Sequence, residues 1–128
     1  MWIFTETGFV SVVTKDSHPN TFCVRARDRK SLDYFADKGV AIMRSPEGDY
    51  PYRAFVSHEI MAPWFLDMGA LATNYSNFKS RVRKTHPEME PLLHDVWAVM
   101  LRLEDDTARI PLTDEEIDER IKFNAEAE

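Results

Sequence analysis

Residues 48–82, GDYPYRAFVSHEIMAPWFLDMGALATNYSNFKSRV, set a strand signal directly ahead of a strongly apolar helical stripe and hold nearly half of the aromatic side chains. Ile60, Met61, Trp64, Phe65, Met68, Leu71 and Ala72 recur with helical spacing. A stripe that wide must lie on a broad apolar surface. The strand before it, residues 50–56, needs partners, because so short an element has no stability of its own. The rest of the chain must therefore supply a sheet. Pro51 cannot donate to a ladder and belongs at a strand start or an edge. Pro63 removes a helical donor, and the spacing predicts a helix that begins near Ala62 with Pro63 in its first turn.

The sheet is readable upstream. Residues 2–4 and 9–13 are aromatic or β-branched around a Thr7-Gly8 turn, and residues 21–27, TFCVRAR, alternate. Phe22, Val24 and Ala26 point to a core and Arg25 and Arg27 to solvent, the pattern of an antiparallel sheet with one wet face. Asp28 caps a helix bearing Leu32, Phe35 and Ala36, Gly39 closes it, and residues 40–44 form another strand. Downstream, Ser76 opens a short helix through Val82. Thr85 and Glu88 have capping-box spacing ahead of a stripe of Met89, Leu92, Leu93, Val96, Trp97, Met100 and Leu103. Thr113 and Glu116 repeat that spacing before a last short helix at 113–123. The expected fold is α+β: an antiparallel sheet with helices packed on one face, followed by C-terminal helices. Residues 1–103 form the domain and residues 104–128 an acidic extension.

The chain has 128 residues, enough for one domain with its own core. A single cysteine, Cys23, fits a reducing compartment, and no apolar run reaches membrane-spanning length. The start carries Glu6 and no basic segment, unlike a signal peptide, so a cytoplasmic setting is expected. Of the net charge of −6, residues 104–128 carry −7 (ten acids against three bases), which leaves +1 for the body. That balance argues against broad, sequence-independent nucleic-acid binding.

Chemistry-bearing patterns are sparse. His86, Glu90 and His94 share a helical spacing but lack the further ligands of a metal centre. His58-Glu59 lacks the second histidine of a zinc-protease motif. Cys23 lies within a regular strand rather than at a helix N-terminus that would activate it. Four glycines leave no phosphate-cradling loop. The expectation is a non-enzymatic protein with no cofactor, no metal and no membrane association, acting by binding protein or itself. Candidate contacts are Tyr50, Tyr52, Arg53 and Tyr75 on the body and Ile117, Ile121 and Phe123 on the acidic helix. The alternative is a nucleic-acid-binding accessory protein using Arg25, Arg27, Lys79, Arg81, Arg83 and Lys84 with nearby tyrosines. The acidic tail can also fold back and mask these cations.

One resemblance adds to this reading. Trp2, Thr5, Gly8-Phe9 and Ser11-Val12-Val13, then Val24-Arg25-Ala26-Arg27, Asp49-Tyr50-Pro51-Tyr52-Arg53, Tyr75-Ser76-Asn77-Phe78-Lys79 and Val96-Trp97 occur in an order and spacing similar to a family of small bacterial, notably actinobacterial, and phage proteins of unknown function. The resemblance covers roughly residues 1–103. It implies a bacterial or phage domain and no particular activity. Asn74, where an acidic residue is expected, and the acidic tail depart from the pattern.

Overall fold

The computed structural model describes residues 1–71, 73–104, 106–107 and 109–126, without the side chains of Ala70 and Leu71. The expected places of Leu71 and Ala72 in the apolar stripe, and of Asp105 and Glu128 in the acidic tail, lie outside the described residues. The chain divides into two compact units, Met1–His94 and Asp95–Glu128.

The first unit is built on a five-stranded antiparallel sheet in the order β1-β2-β3-β5-β4. Its strands are β1 (Trp2–Thr5), β2 (Gly8–Val13), β3 (Thr21–Ala26), β4 (Met43–Arg44) and β5 (Tyr52–Ser57). The expected α+β class is what forms, with helices on both sheet faces rather than on one. The strand expected over residues 40–44 shrinks to two residues: the Val40 N–H is taken by the Phe35 carbonyl at the close of α1, and only Met43 and Arg44 pair with β5. That core gathers Val10, Val12, Val24, Ala26, Ala54 and Val56 from one sheet face. Leu32, Phe35, Met61 and Trp64 cover them from a 3-10 turn (Lys30–Leu32), helix α1 (Asp33–Asp37) and helix α2 (His58–Phe65). Gly39 closes α1 at φ 85°, the left-handed value that favours glycine.

Helix α2 starts four residues earlier than Pro63 predicts, and the proline sits inside it. An interior proline costs about 3 kcal/mol. Burying Met61 and Trp64 on the sheet contributes about 1.5–3 kcal/mol each, which offsets that cost. A start at Ala62 would leave Met61 outside the helix. The chain then widens into a π-helical segment, Leu66–Leu71, pinned where the Tyr34 hydroxyl donates to Asp67 at 3.0 Å.

Helix α3 (Phe78–Thr85) and the start of helix α4 (Glu90–Met100) add a second, smaller cluster. Val82, Met89 and Leu93 pack on Phe4 and Phe9, which alternate with Ile3 and Val10 and so lie on the opposite sheet face. Two expected caps differ. Asn77, not Ser76, caps α3, its side chain accepting from the Ser80 N–H at 3.0 Å. Thr85 and Glu88 form no capping box: Thr85 donates to the Glu6 carbonyl and Glu88 turns to His86. Of the expected α4 stripe only Met89 and Leu93 are buried, whereas Leu92, Val96, Trp97 and Met100 are exposed.

In the second unit, helix α5 (Asp114–Glu126) carries the predicted capping box. The Thr113 N–H donates to the Glu116 carboxylate at 2.8 Å, and the Glu116 N–H donates to the Thr113 hydroxyl at 3.3 Å. The hydrogen bonds that the Glu116 carboxylate accepts from the Thr113 N–H and hydroxyl hold its carboxyl below its ordinary range. Every described side chain of α5 is exposed. Among the described residues no helix is long and apolar enough to cross a membrane.

Candidate partner-binding face

The alternation that buries Val24 and Ala26 sends Cys23 and Arg25 to the other side of β3, and the same parity on β5 sends Arg53 and Phe55 there. The register places Arg25 directly opposite Arg53. Ser11 lies on the far side of Arg25 and Met43 on the far side of Arg53. With Trp2 opposite Ser11, one row crosses all five strands: Trp2, Ser11, Arg25, Arg53, Met43. Its ends are open, Trp2 being 70% and Met43 47% exposed. The neighbouring row holds Cys23 and Phe55; Cys23 is buried, and the His18 ring stacks on Phe55 at 3.7 Å.

Tyr50 orders the arginines. It is only 5% exposed, and the guanidiniums of Arg25 and Arg27 lie 4.6 and 4.7 Å from its ring centre. Arg25 also donates to the Ser11 hydroxyl at 2.8 Å, and Arg27 donates to the Asp49 carbonyl. Stacking and neutral acceptors hold these side chains in place without cancelling their charge. Among the described residues no carboxylate lies within ion-pair distance of Arg25, Arg27 or Arg53. The Nε–H groups of Arg25 and Arg53 are buried without an acceptor. Like charges facing each other across a ladder are destabilising, and an unsatisfied buried donor adds to that. The face is electrostatically strained in a way an anionic ligand relieves.

Tyr50, Arg53, Arg25 and Arg27 thus come together although sequence reasoning divided them between two readings. Tyr52 does not join them: it shares the parity of Ala54 and Val56 and packs against the main core. Tyr75 lies elsewhere, its ring 6.1 Å from Phe78 and 5.7 Å from the Arg81 guanidinium. The cations of α3 are largely engaged. Arg81 pairs with Glu6, Arg83 pairs with Glu90 at 3.1 Å, and Lys79 has a partner too. Lys84 borders a shallow hollow with Tyr75 and Arg81. Ile117, Ile121 and Phe123 are exposed on α5.

A polar node that no sequence pattern revealed adjoins this face, just beyond the end of β3. His86, 5% exposed, places Nε2 2.8 Å from Asp28 and Nδ1 3.0 Å from Glu88. Asp28 also accepts from the Ser31 hydroxyl, and that oxygen accepts the Phe9 N–H at 3.1 Å. Serine, aspartate and histidine suggest a hydrolase, but the carboxylate is in the middle, so the imidazole cannot take the serine's proton. The node joins β2, the end of β3 and the α3–α4 link. It borders a cleft of about 230 Å³ with Phe9, Arg27, Met89 and Leu92. Among the described residues no group of three His, Cys, Asp or Glu is placed to hold a metal ion. Glu90 pairs with Arg83 rather than completing a site with His86 and His94.

Partial burial alone would raise the Asp28 carboxyl. The hydrogen bonds from Ser31 and His86 and the charge of His86 outweigh it and leave the carboxyl below its ordinary 3.8. A depressed folded-state value means that the ionised Asp28 stabilises the fold above that pH, and the contribution is lost as pH falls through the folded value. Asp28 is about half exposed and solvent screens its interactions, so Asp28→Asn is expected to lower stability at pH 7 by no more than about 1 kcal/mol. The gap from the unsubstituted protein should close below about pH 4. Denaturant melts at pH 7 and pH 3 check this, and an equal gap at both refutes it.

Compared with known proteins, the chain matches no family model, no curated protein and no solved structure.

Proposed function

We propose that this chain is a non-enzymatic binding protein whose arginine-bearing sheet face takes an acidic surface of a partner protein, in a bacterial or phage-infected cytoplasm. The observation that carries this reading is the Arg25–Arg53 pair, set face to face with Arg27 alongside and no carboxylate near any of them among the described residues. Arginine and tyrosine are the residue types that dominate interface energetics, and a planar guanidinium matches a carboxylate bidentately. A single-stranded nucleic-acid face stacks successive bases on exposed aromatic rings, and in the row that holds Arg25 and Arg53 the one exposed ring is Trp2, at the end far from Arg53. Tyr50 is instead buried beneath two arginines, and Arg81 and Arg83 already hold carboxylates. Both facts favour protein over nucleic acid.

Poly-L-glutamate is the simplest probe. At low salt it should bind, and Arg53→Glu should weaken it about tenfold or more. The same substitution should leave the fold intact, or up to about 1 kcal/mol more stable, because it replaces a like-charge cross-strand pair by an opposite one. Oligo-dT retained more tightly than polyglutamate, and released by Arg81→Glu with Arg83→Glu, would instead establish the nucleic-acid alternative.

A further inference from the structure

We infer that the acidic partner of this face is helix α5 of a second copy of the same chain, two chains exchanging α5 helices about a two-fold axis. The inference rests on the function proposed above and names its partner. Charge selects the pairing. Residues 95–128 carry eleven acids against four bases, net −7, which leaves +1 for residues 1–94. Two C-terminal units placed together would set like charge against like. One placed on the arginine face sets opposite charges together, and interfaces select partners on that difference.

Dimensions agree. Helix α5 has 13 residues, about 20 Å at 1.5 Å per residue. The row from Trp2 to Met43 crosses a five-stranded sheet, about 19 Å at ~4.8 Å per strand spacing. The chemistry agrees along that length. On α5, Ile117 and Ile121 are one turn apart, and Asp114 and Asp118 form a parallel pair beside them. Laid along the row with Asp114 against Arg25 and Asp118 against Arg53, the helix sets Ile117 between the two arginines and Ile121 beside exposed Met43. One such footprint, about 20 Å by 10 Å, is small beside the ~800 Å² per partner of a standard interface. Two of them, related by symmetry, engage about 400 Å² per chain, twice a one-sided contact and still below that standard size, so the exchange is reciprocal and held chiefly by charge.

Size-exclusion chromatography with light scattering on the full chain at low ionic strength tests this, using the unsubstituted protein, Arg53→Glu and Asp114→Lys/Asp118→Lys. The expected result is a dimer that each variant dissociates, its Kd rising about tenfold or more. Mixing the two variants in equal amounts should restore a dimer, because each then meets a complementary charge. That rescue separates lost docking from an α5 that has merely unfolded. A monomeric unsubstituted chain, a dimer that survives both variants, or a mixture that stays monomeric overturns the exchange. If the monomer still binds polyglutamate through Arg53, only the exchange falls and the acidic-partner function stands; if it binds neither, both fall.

Discussion

Gly8→Ala is expected to destabilise the first unit by about 3–4 kcal/mol, beyond the usual 1–3 kcal/mol for forcing extra carbon into a packed site. A Cβ at position 8 would lie 2.6 Å from the Ser31 Cβ and 2.8 Å from the Ser31 Cα. The second distance involves backbone, so no rotamer change relieves it. Ser31 is also nearly buried and holds the Phe9 N–H and the Asp28 carboxylate. Any shift that admits the methyl group pulls on both hydrogen bonds, each worth roughly 1 kcal/mol. Ser31→Ala alone should cost only about 1–2 kcal/mol, because it removes hydrogen bonds without a clash. Adding it to Gly8→Ala should give only a partial rescue: it removes the closest contact, with the Ser31 hydroxyl, but the new methyl group still collides with the backbone and first side-chain carbon of residue 31. Chemical denaturation of the three variants reads this directly. A double variant restored to the level of Ser31→Ala would show that the Ser31 hydroxyl, not its backbone, sets the close approach.

Gly8 also shows where sequence reasoning reaches its end. Thr7-Gly8 reads correctly as a turn between two strands, but the residue that makes glycine obligatory is 23 positions away. Period-two alternation in TFCVRAR is a local property of the backbone, so it put Val24 and Ala26 inside and Arg25 outside. Register is not local. Nothing in the sequence sets Arg25 opposite Arg53 rather than one residue along, and the candidate face exists only through that pairing. Parity on β5, applied strictly, separates Tyr52 from Arg53; treating Tyr50, Tyr52 and Arg53 as one surface overlooked it. Helix caps behave similarly. Thr113 and Glu116 form their box because nothing else competes for an exposed helix start. Thr85 and Glu88 have the same spacing and fail, because Glu6 and His86 claim them first. The His86 node was the least legible feature. Asp28 and His86 are 58 residues apart, and each has an ordinary local role that hides the other.

His86→Ala should therefore cost more than its position in a short link suggests, about 2–3 kcal/mol. Removing the imidazole takes from the Asp28 carboxylate one of its hydrogen-bond donors, and a hydrogen bond to a charged group is worth about 1.5–3 kcal/mol. Asp28 is half-exposed and water can replace part of what it loses, so the lower figure applies. The imidazole also fills volume between β3 and the α3–α4 link, and its removal opens a cavity beside Met89. Glu88 is the control: it is largely exposed, and Glu88→Ala should leave the stability essentially unchanged despite touching the same ring. His86→Gln keeps an N–H donor for Asp28 and should recover about half the loss. A double-mutant cycle of His86→Ala with Asp28→Asn should return a coupling of roughly 1 kcal/mol. If the two losses simply add, His86 acts by packing alone and the hydrogen bond contributes nothing. A real coupling makes the α3–α4 link part of the cooperative core. The arginine face and the node would then share β3 as a common support, with Arg25 on its outer face and Asp28 two residues past its last residue, Ala26. Binding at the face would be felt as protection from unfolding at the node.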